Sequence, residues 1–280
     1  MGEKKLNKIL KRVFLAIILL LLLLSILALM PFFQSFLGKI ATSKLNQALG
    51  TQISVEKVHI SVFGDVDLKG LYVQDHHKDT LLYVNNVRTS LLNVKQITDS
   101  KIFLSKAQLH AFNLKIKKYK GESQTSLDVF VSKVDDGKPG SGKFRLSSDN
   151  IKAFNSRFRI INEDNANQTS LDFTNLNGDL DRFLIKGPEV TAFIKKIDFN
   201  DHRGLKVNHL SGDFLYNKTN LYVKQLNLKT PFSTIEADVE MIYKPKYFQD
   251  FTNKVVIDAD IKRSKIAAND LNLFYPEFGT

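Results

Sequence analysis

From Thr51 onward the chain alternates between apolar and polar residues with a period of two. Typical runs are Ile53-Val55 and Ile235-Ala237-Val239-Met241, and short stretches of Asp, Asn and Gly separate them. A strand that turns one face to an apolar environment and the other to water has this pattern. Leu127-Val129-Val131 fits the same alternation. The pattern predicts an all-β body over residues 51–280, without a helix before Ser264 and with one short helix between 264 and 274.

The alternation slips by one position at several places, as at Glu56-Lys57 and Lys224-Gln225, where an extra polar residue separates two alternating pairs. A one-residue slip would turn the next apolar side chain to the wrong face unless the strand bulges. These positions therefore predict bulges or bends that keep the apolar residues on one side of the sheet.

Residues 135–142 are rich in Asp, Gly and Ser and predict a flexible linker or a long hairpin loop. Together with Lys143 they match the spelling GxxxxGK of a phosphate-binding loop. That loop needs a Ser or Thr next, followed by a helix whose N-terminus faces the phosphates. Phe144 follows instead and begins a strand-like alternation, so we do not expect phosphate binding here.

Val13 to Phe33 is an almost continuous apolar run. A bilayer core about 30 Å thick is crossed by roughly 20 apolar helical residues, so the run predicts a transmembrane signal anchor over residues 13–36. A cleaved signal peptide is the alternative. Its apolar region is usually about 7–15 residues long and ends at small residues, whereas this run ends in Met30-Pro31-Phe32-Phe33.

The segment before the run, residues 1–12, is a basic tail. Basic residues near a span are retained on the cytoplasmic side during insertion. The tail therefore predicts a single-pass membrane protein with a cytoplasmic N-terminus and a body on the far side of the membrane, which is the periplasm if the membrane is a bacterial inner membrane. The residues that carry this topology signal are Lys4, Lys5, Lys8, Lys11 and Arg12.

Residues 37–50 carry apolar side chains at helical spacing and end at Gly50, a residue typical of helix C-termini. They predict a short amphipathic helix next to the membrane. Its apolar face either packs on the first strands or lies on the lipid headgroups.

The 280 residues include 40 Lys and Arg against 29 Asp and Glu, a net charge of +11, and no Cys. The positive excess of the body is spread along the chain, whereas nucleic-acid binding calls for a clustered basic face, so we expect no nucleic-acid partner. A spread excess also suits anionic lipid surfaces. The absence of Cys excludes disulfides, thiolate metal sites and thiol nucleophiles.

Catalytic and metal-binding patterns are weak. His76 and His77 are adjacent and lie within a turn signal at Asp75 to Asp79. Adjacent residues of a strand face opposite ways, and a turn this polar is expected to be solvated, so we expect no metal site there. Asp65-Val66-Asp67 and Asp258-Ala259-Asp260 place paired carboxylates on one strand face, but the apolar residue between them points the carboxylates to water. No nucleophile or zinc-protease motif is present. The sequence predicts neither an enzyme nor a cofactor.

Residues 45–75, LNQALGTQISVEKVHISVFGDVDLKGLYVQD, resemble the start of the AsmA-like and TamB family of bacterial envelope proteins, in the form found in Bacteroidetes-type bacteria. The resemblance lies in the order of parts: an anchor, a short helix that ends at Gly, a strand of the form Ile-x-Val-x-x-Val-x-Ile, and Leu-x-Gly-Leu-x-Val-x-Asp. The segments 79–84 and 221–230 are similar to the TamB group as well.

The resemblance implies a long, twisted, open β-sheet curled into a trough with an apolar interior. It also implies phospholipid transport from the inner toward the outer membrane and a part in outer-membrane protein assembly and secretion. The assembly partner would be a barrel of the BamA superfamily, contacted through a C-terminal domain that is not present in this chain. We expect the body to continue beyond residue 280.

An open trough would leave its apolar face to phospholipid acyl chains, whereas a closed sandwich would cover that face with protein. The alternative function is therefore a non-catalytic, membrane-anchored β-sandwich that acts as a scaffold or adhesion module. The residues expected to contact lipid in the trough are Leu109, Leu114, Ile116, Phe158, Phe173, Leu221, Val223, Ile235, Ala237, Val239, Val255 and Ile257.

Overall fold

The computed structural model describes residues 52–61, 64–91, 101–134, 145–165, 169–217, 219–243 and 255–273, together with Ile17, Leu19, Lys39, Thr42, Ser43 and Asn46. The strands are β1 (Ile53–Ile60), β2 (Asp65–Gln74), β3 (Thr80–Leu91), β4 (Lys101–Lys118), β5 (Arg145–Asn162), β6 (Thr169–Lys186), β7 (Glu189–Asp201), β8 (Lys206–Tyr216), β9 (Asn220–Lys229), β10 (Thr234–Ile242) and β11 (Val256–Ile261). Within the described part of the body the helices are α1 (Ser126–Val134) and α2 (Ala268–Leu271).

All eleven strands belong to one sheet, in which each strand neighbours the next along the chain. The pairs are antiparallel except β4 and β5, which run parallel. Among the described residues β1 and β11 are not hydrogen-bonded to each other, so the sheet is open, with β1 and β11 as its outer strands. The prediction of a mostly β body is confirmed. The described strands do not divide into two sheets, so they do not form the closed sandwich that the sequence left open.

Helix α1 corrects the sequence prediction, which gave residues 127–131 to a strand. Thr125 and Asp128 form a capping box: the Thr125 N–H and hydroxyl donate to the Asp128 carboxylate, and the Asp128 N–H donates back to the Thr125 hydroxyl oxygen at 3.1 Å. The apolar residues Leu127, Phe130 and Val131 also fit helical spacing. A helix suits this place because parallel neighbours need a long crossover connection.

At the C-terminal side, the expected helix between residues 264 and 274 is only one turn long, α2. Before α2 the chain forms a bridge between Lys265 and Thr234. Asp270 in α2 accepts hydrogen bonds from the hydroxyls of Thr230 and Ser233, at 2.6 and 2.5 Å. The short helix therefore closes over the turn between β9 and β10.

The predicted bulge at Lys224-Gln225 is present: Gln225 has a φ of 51°, and the register of β9 shifts against β10 and β8 around it. At Glu56-Lys57 the register of β1 and β2 continues unbroken, but the less exposed positions change phase in both strands. Gly70, with a φ of 63°, lies at this place, where any Cβ would collide with the Glu56 side chain. The bulge at Gln225 and the positive φ of Gly70 both keep the apolar side chains on one face.

Among the described residues, no helix is long and apolar enough to cross a membrane. The predicted tail 1–12, anchor 13–36 and amphipathic helix 37–50 lie outside the described residues, apart from the six isolated positions. One of these, Asn46, contacts β1: its side-chain amide donates to the Ile53 carbonyl oxygen at 3.0 Å and accepts the Ile53 N–H at 2.6 Å. Asn46 is thus hydrogen-bonded to the first residue of the sheet.

Candidate functional site

One face of the sheet carries a row of apolar residues that runs from β1 to β10. Residues that are paired across a ladder point to the same face, so consecutive pairs trace a row across the sheet. The central row consists of Val58, Leu68, Val87, Leu109, Ala153, Gly178, Ile197, Leu210, Leu228 and Ile235. We call the face that bears it the apolar face.

A second row lies toward one end of the strands. It shares the face of the central row although the two are five residues apart in β4 to β6, because Ala111, Asn155 and Asn175 have positive φ and interrupt the alternation between them. The row is aromatic at its far side. It consists of Val73, Leu82, Leu114, Phe158 and Phe173. The rings of Phe158 and Phe173 are 5.8 Å apart, and Phe173 stacks on Phe199 of β7 at 4.2 Å. These contacts extend the apolar surface from β2 to β7.

A third row lies toward the opposite end of the strands and reaches the β11 edge. Its members are Ile102, Leu146, Ile185, Val190, Tyr216, Leu221, Met241 and Ile257. At the edge the row is open to solvent, since Ile257 is 51% exposed and Ile261 of the same strand is 55% exposed. The apolar surface therefore continues to β11, the last strand that the structure describes.

The residues expected to contact lipid fall on this face, with one exception. Leu109 and Ile235 are in the central row, Leu114, Phe158 and Phe173 in the second, and Leu221 and Ile257 in the third. Val239 pairs with Val223, Ala237 pairs with Leu226, and Ile116 pairs with Ile160. The exception is Val255, which precedes β11 and has no described strand partner.

The opposite face is polar along the same strands. Directly beside the central row runs a row made of His59, Asp67, Arg88, Gln108, Lys152, Asp179 and Lys196. Its charges are paired, as between Arg88 and Asp67 at 3.4 Å and between Lys152 and Asp179 at 3.6 Å. Asp67 lies in this row, as the sequence predicted for the strand carboxylates. The sheet thus separates an apolar face from a hydrated one.

Helix α1 lies on the apolar side of the sheet. Burial raises the pKa of the Tyr216 hydroxyl, and the negative charge of Asp128 in the first turn of α1 raises it further. Burial, Tyr216 and Asp128 also raise the pKa of Tyr243. The two tyrosine rings are stacked with centroids 6.5 Å apart, and Tyr243 is only 4% exposed. The first turn of α1 therefore lies near Tyr216 of the third row, a proximity that the sequence reasoning missed because it assigned α1 to a strand.

His76 and His77 belong to the turn between β2 and β3, as the turn signal at Asp75 to Asp79 predicted. Both imidazoles contact Glu122, which follows β4. The strand rule, by which neighbouring side chains face opposite ways, therefore does not apply to them. The histidines and Glu122 are more than 40 residues apart in the chain, so no local sequence pattern predicts that they meet.

The chain matches no protein-family model and no curated protein. The likeness to AsmA and TamB proteins is therefore carried by the sequence patterns alone.

Proposed function

We propose that the chain is an inner-membrane-anchored periplasmic protein whose apolar face forms a trough for phospholipid acyl chains on their way toward the outer membrane. The observation that carries the proposal is the central row, which is apolar from β1 to β10 on a single open sheet. At a strand spacing of about 4.8 Å, eleven strands extend roughly 50 Å, which exceeds the thickness of a bilayer core.

The physical argument concerns the cost of moving a lipid tail through water. Each methylene that leaves the bilayer for water costs about 0.8 kcal/mol, so an uncovered tail crosses the periplasm very slowly. A continuous apolar face removes most of that cost, while the polar face and the edges leave the headgroup in water. No bond is made or broken, which agrees with the expectation of a non-catalytic protein.

Site-specific photo-crosslinking tests the proposal, because neighbouring residues of one strand face opposite ways. A photoreactive residue at Leu109, in the central row, is expected to capture phospholipid in intact cells. The same residue at Gln108, which is exposed on the polar face, serves as the matched control. Equal capture at both positions, or capture at neither, would contradict a lipid path on the apolar face.

A charge in the central row provides a second test. Leu109→Arg is expected to lower the phospholipid that co-purifies with the protein, since an arginine costs far more than leucine in contact with acyl chains. Gln108→Arg adds the same charge on the polar face and is expected to leave the bound lipid unchanged. Native mass spectrometry of the detergent-free protein measures the difference. A lipid-free monomer in the wild type would favour the scaffold or adhesion function instead.

The membrane anchor is a separate part of the proposal and is supported by the apolar run and its basic flank. An alkaline phosphatase fused after Thr280 is expected to be active and to stay in the membrane fraction after a salt wash. Leu22→Arg would cost about 2.5–3.5 kcal/mol at the centre of the span and should weaken anchoring. A soluble, shortened wild-type product would show that residues 13–36 are a cleaved signal peptide.

The role in outer-membrane protein assembly, with a barrel of the BamA superfamily as partner, is supported by the family resemblance. Crosslinking in cells, followed by detection of the barrel protein, tests that association independently of lipid binding.

A further inference from the structure

A compact cluster of two imidazoles and one carboxylate lies at the end of the sheet where β2 meets β3. Nε2 of His76 is 2.9 Å from one carboxylate oxygen of Glu122, and Nε2 of His77 is 2.6 Å from the other. The two imidazole rings are 4.6 Å apart and inclined at 63°. One possible ligand atom from each of the three residues lies within 4.8 Å of the others.

The histidine side of the cluster is fixed by its turn. Asp75 accepts the backbone N–H of His77 and of Asp79, both at 2.9 Å, on one carboxylate oxygen. Its other oxygen accepts the hydroxyl of Tyr119 at 2.6 Å, and the Tyr119 ring lies 3.9 Å from the ring of His77. These contacts hold the turn in one conformation and aim both imidazoles at the end of β4.

The glutamate side is fixed by a second turn, from Tyr119 to Glu122. The Glu122 N–H donates to the Tyr119 carbonyl oxygen at 3.0 Å. The turn itself is held by the β5–β6 connection, because the Lys120 N–H donates to Glu163 at 3.1 Å and the Gly121 N–H to Asp164 at 2.9 Å. All three side chains are therefore positioned by backbone that is anchored on both sides.

The donor set matches the preferences of a first-row transition metal. Two imidazole nitrogens and one carboxylate oxygen are the protein ligands of many zinc sites, with water in the fourth position. Metal–ligand bonds of about 2.0–2.1 Å in a tetrahedron place the donor atoms about 3.3 Å apart. The candidate ligand atoms lie within 4.8 Å of one another, so binding would draw them closer together. Mg²⁺ and Ca²⁺ prefer oxygen ligands and suit the cluster poorly.

A divalent cation binds imidazole nitrogens in their neutral form and a carboxylate as an anion, so the two histidines and Glu122 supply the ligand forms that the metal requires.

We propose that His76, His77 and Glu122 bind one Zn²⁺ ion, through one imidazole nitrogen each and one carboxylate oxygen. The ion ties the β2–β3 turn to the segment that leads from β4 into α1. It thereby holds the crossover that makes β4 and β5 parallel, and with it the helix on the apolar face. The site is independent of the lipid path and requires no lipid for its function.

Zinc binding to the full chain tests the proposal directly. The protein is purified in detergent without a polyhistidine tag, freed of metal with a chelator and titrated with ZnCl₂ in a calorimeter. We expect one equivalent of Zn²⁺ to bind and to raise the melting temperature. His76→Ala and Glu122→Gln are each expected to weaken binding at least tenfold and to abolish the rise in melting temperature.

Two further variants keep the outcome interpretable. His209→Ala removes a histidine from β8 and is expected to leave zinc binding unchanged. His77→Ala changes a side chain that is 46% exposed, so it is expected to fold normally and still to lose zinc binding. Zinc affinity that is equal in the wild type and in His77→Ala, or no stoichiometric binding to the wild type, would overturn the proposal. The three side chains would then form an ordinary hydrogen-bonded cluster.

Discussion

Replacing Gly212 by alanine tests how closely β8 and β9 approach each other at the bulge of β9. Gly212 has a φ of 151°, and a Cβ built on it would lie 2.7 Å from the Lys224 carbonyl oxygen and 3.0 Å from Cγ1 of Val223. The carbonyl oxygen is backbone and belongs to the bulge at Gln225, so it cannot move without disturbing the ladder. Gly212→Ala should therefore destabilise the sheet.

Gly178 supplies the matched control, because it is also a strand glycine on the apolar face. A Cβ on Gly178 would meet Leu180, Ala153 and Ile197 at 3.5–3.7 Å, which are ordinary contacts. Overpacking costs about 1–3 kcal/mol, and the smaller entropy of an unfolded alanine stabilises the fold by about 0.4–1 kcal/mol. We expect Gly212→Ala to lose about 1–2 kcal/mol of unfolding free energy and Gly178→Ala to lose none.

Urea unfolding of the full chain in detergent, followed by far-UV circular dichroism, measures both variants against the wild type. A similar loss in the two variants would mean that the damage comes from any alanine on the apolar face, and it would refute the argument from the β8–β9 approach. An unchanged Gly212→Ala would show that the bulge can move away at little cost.

Three further predictions follow from burial and charge. Val84→Ala, at a side chain that is 2% exposed, should cost about 1.5–2.5 kcal/mol in urea unfolding, whereas Val256→Ala, at 63% exposed on the edge strand, should cost less than about 0.5 kcal/mol. The paired hydrogen bonds from an arginine of β5 hold the pKa of Asp172 below its usual range. The ionised Asp172 therefore stabilises the fold at pH values above its unfolded pKa of about 3.9. This contribution is lost as the pH falls through the lower pKa of the folded state. Asp172→Asn should therefore be less stable than the wild type at pH 7, with a difference that shrinks below about pH 3.9 and that unfolding at pH 7 and pH 3 would reveal. Asp128→Asn removes a negative charge near Tyr216 and should lower the pKa of that hydroxyl in an ultraviolet titration; an unchanged pKa would contradict the position of α1.

Local patterns in the sequence determined the strands and the face that each strand turns inward. The alternation around Leu109 and Val239 predicted their side of the sheet, and the extra polar residue before Gln225 predicted the bulge. These features follow from the period of two in an extended chain, which depends only on neighbours in sequence. The capping box at Thr125 and Asp128 is also local, so α1 was predictable in principle.

The tertiary structure decided the features that depend on which segments meet. The parallel pairing of β4 and β5, the position of α1 beside Tyr216, and the meeting of His76 and His77 with Glu122 all join residues that are far apart in the chain. Such contacts form only when long-range packing repays the entropy of closing the intervening loops, and no local period encodes that balance. The close approach at Gly212 likewise exists only after β8 and β9 have paired. The need for a glycine at this position is therefore set by the neighbouring strand and not by the local pattern.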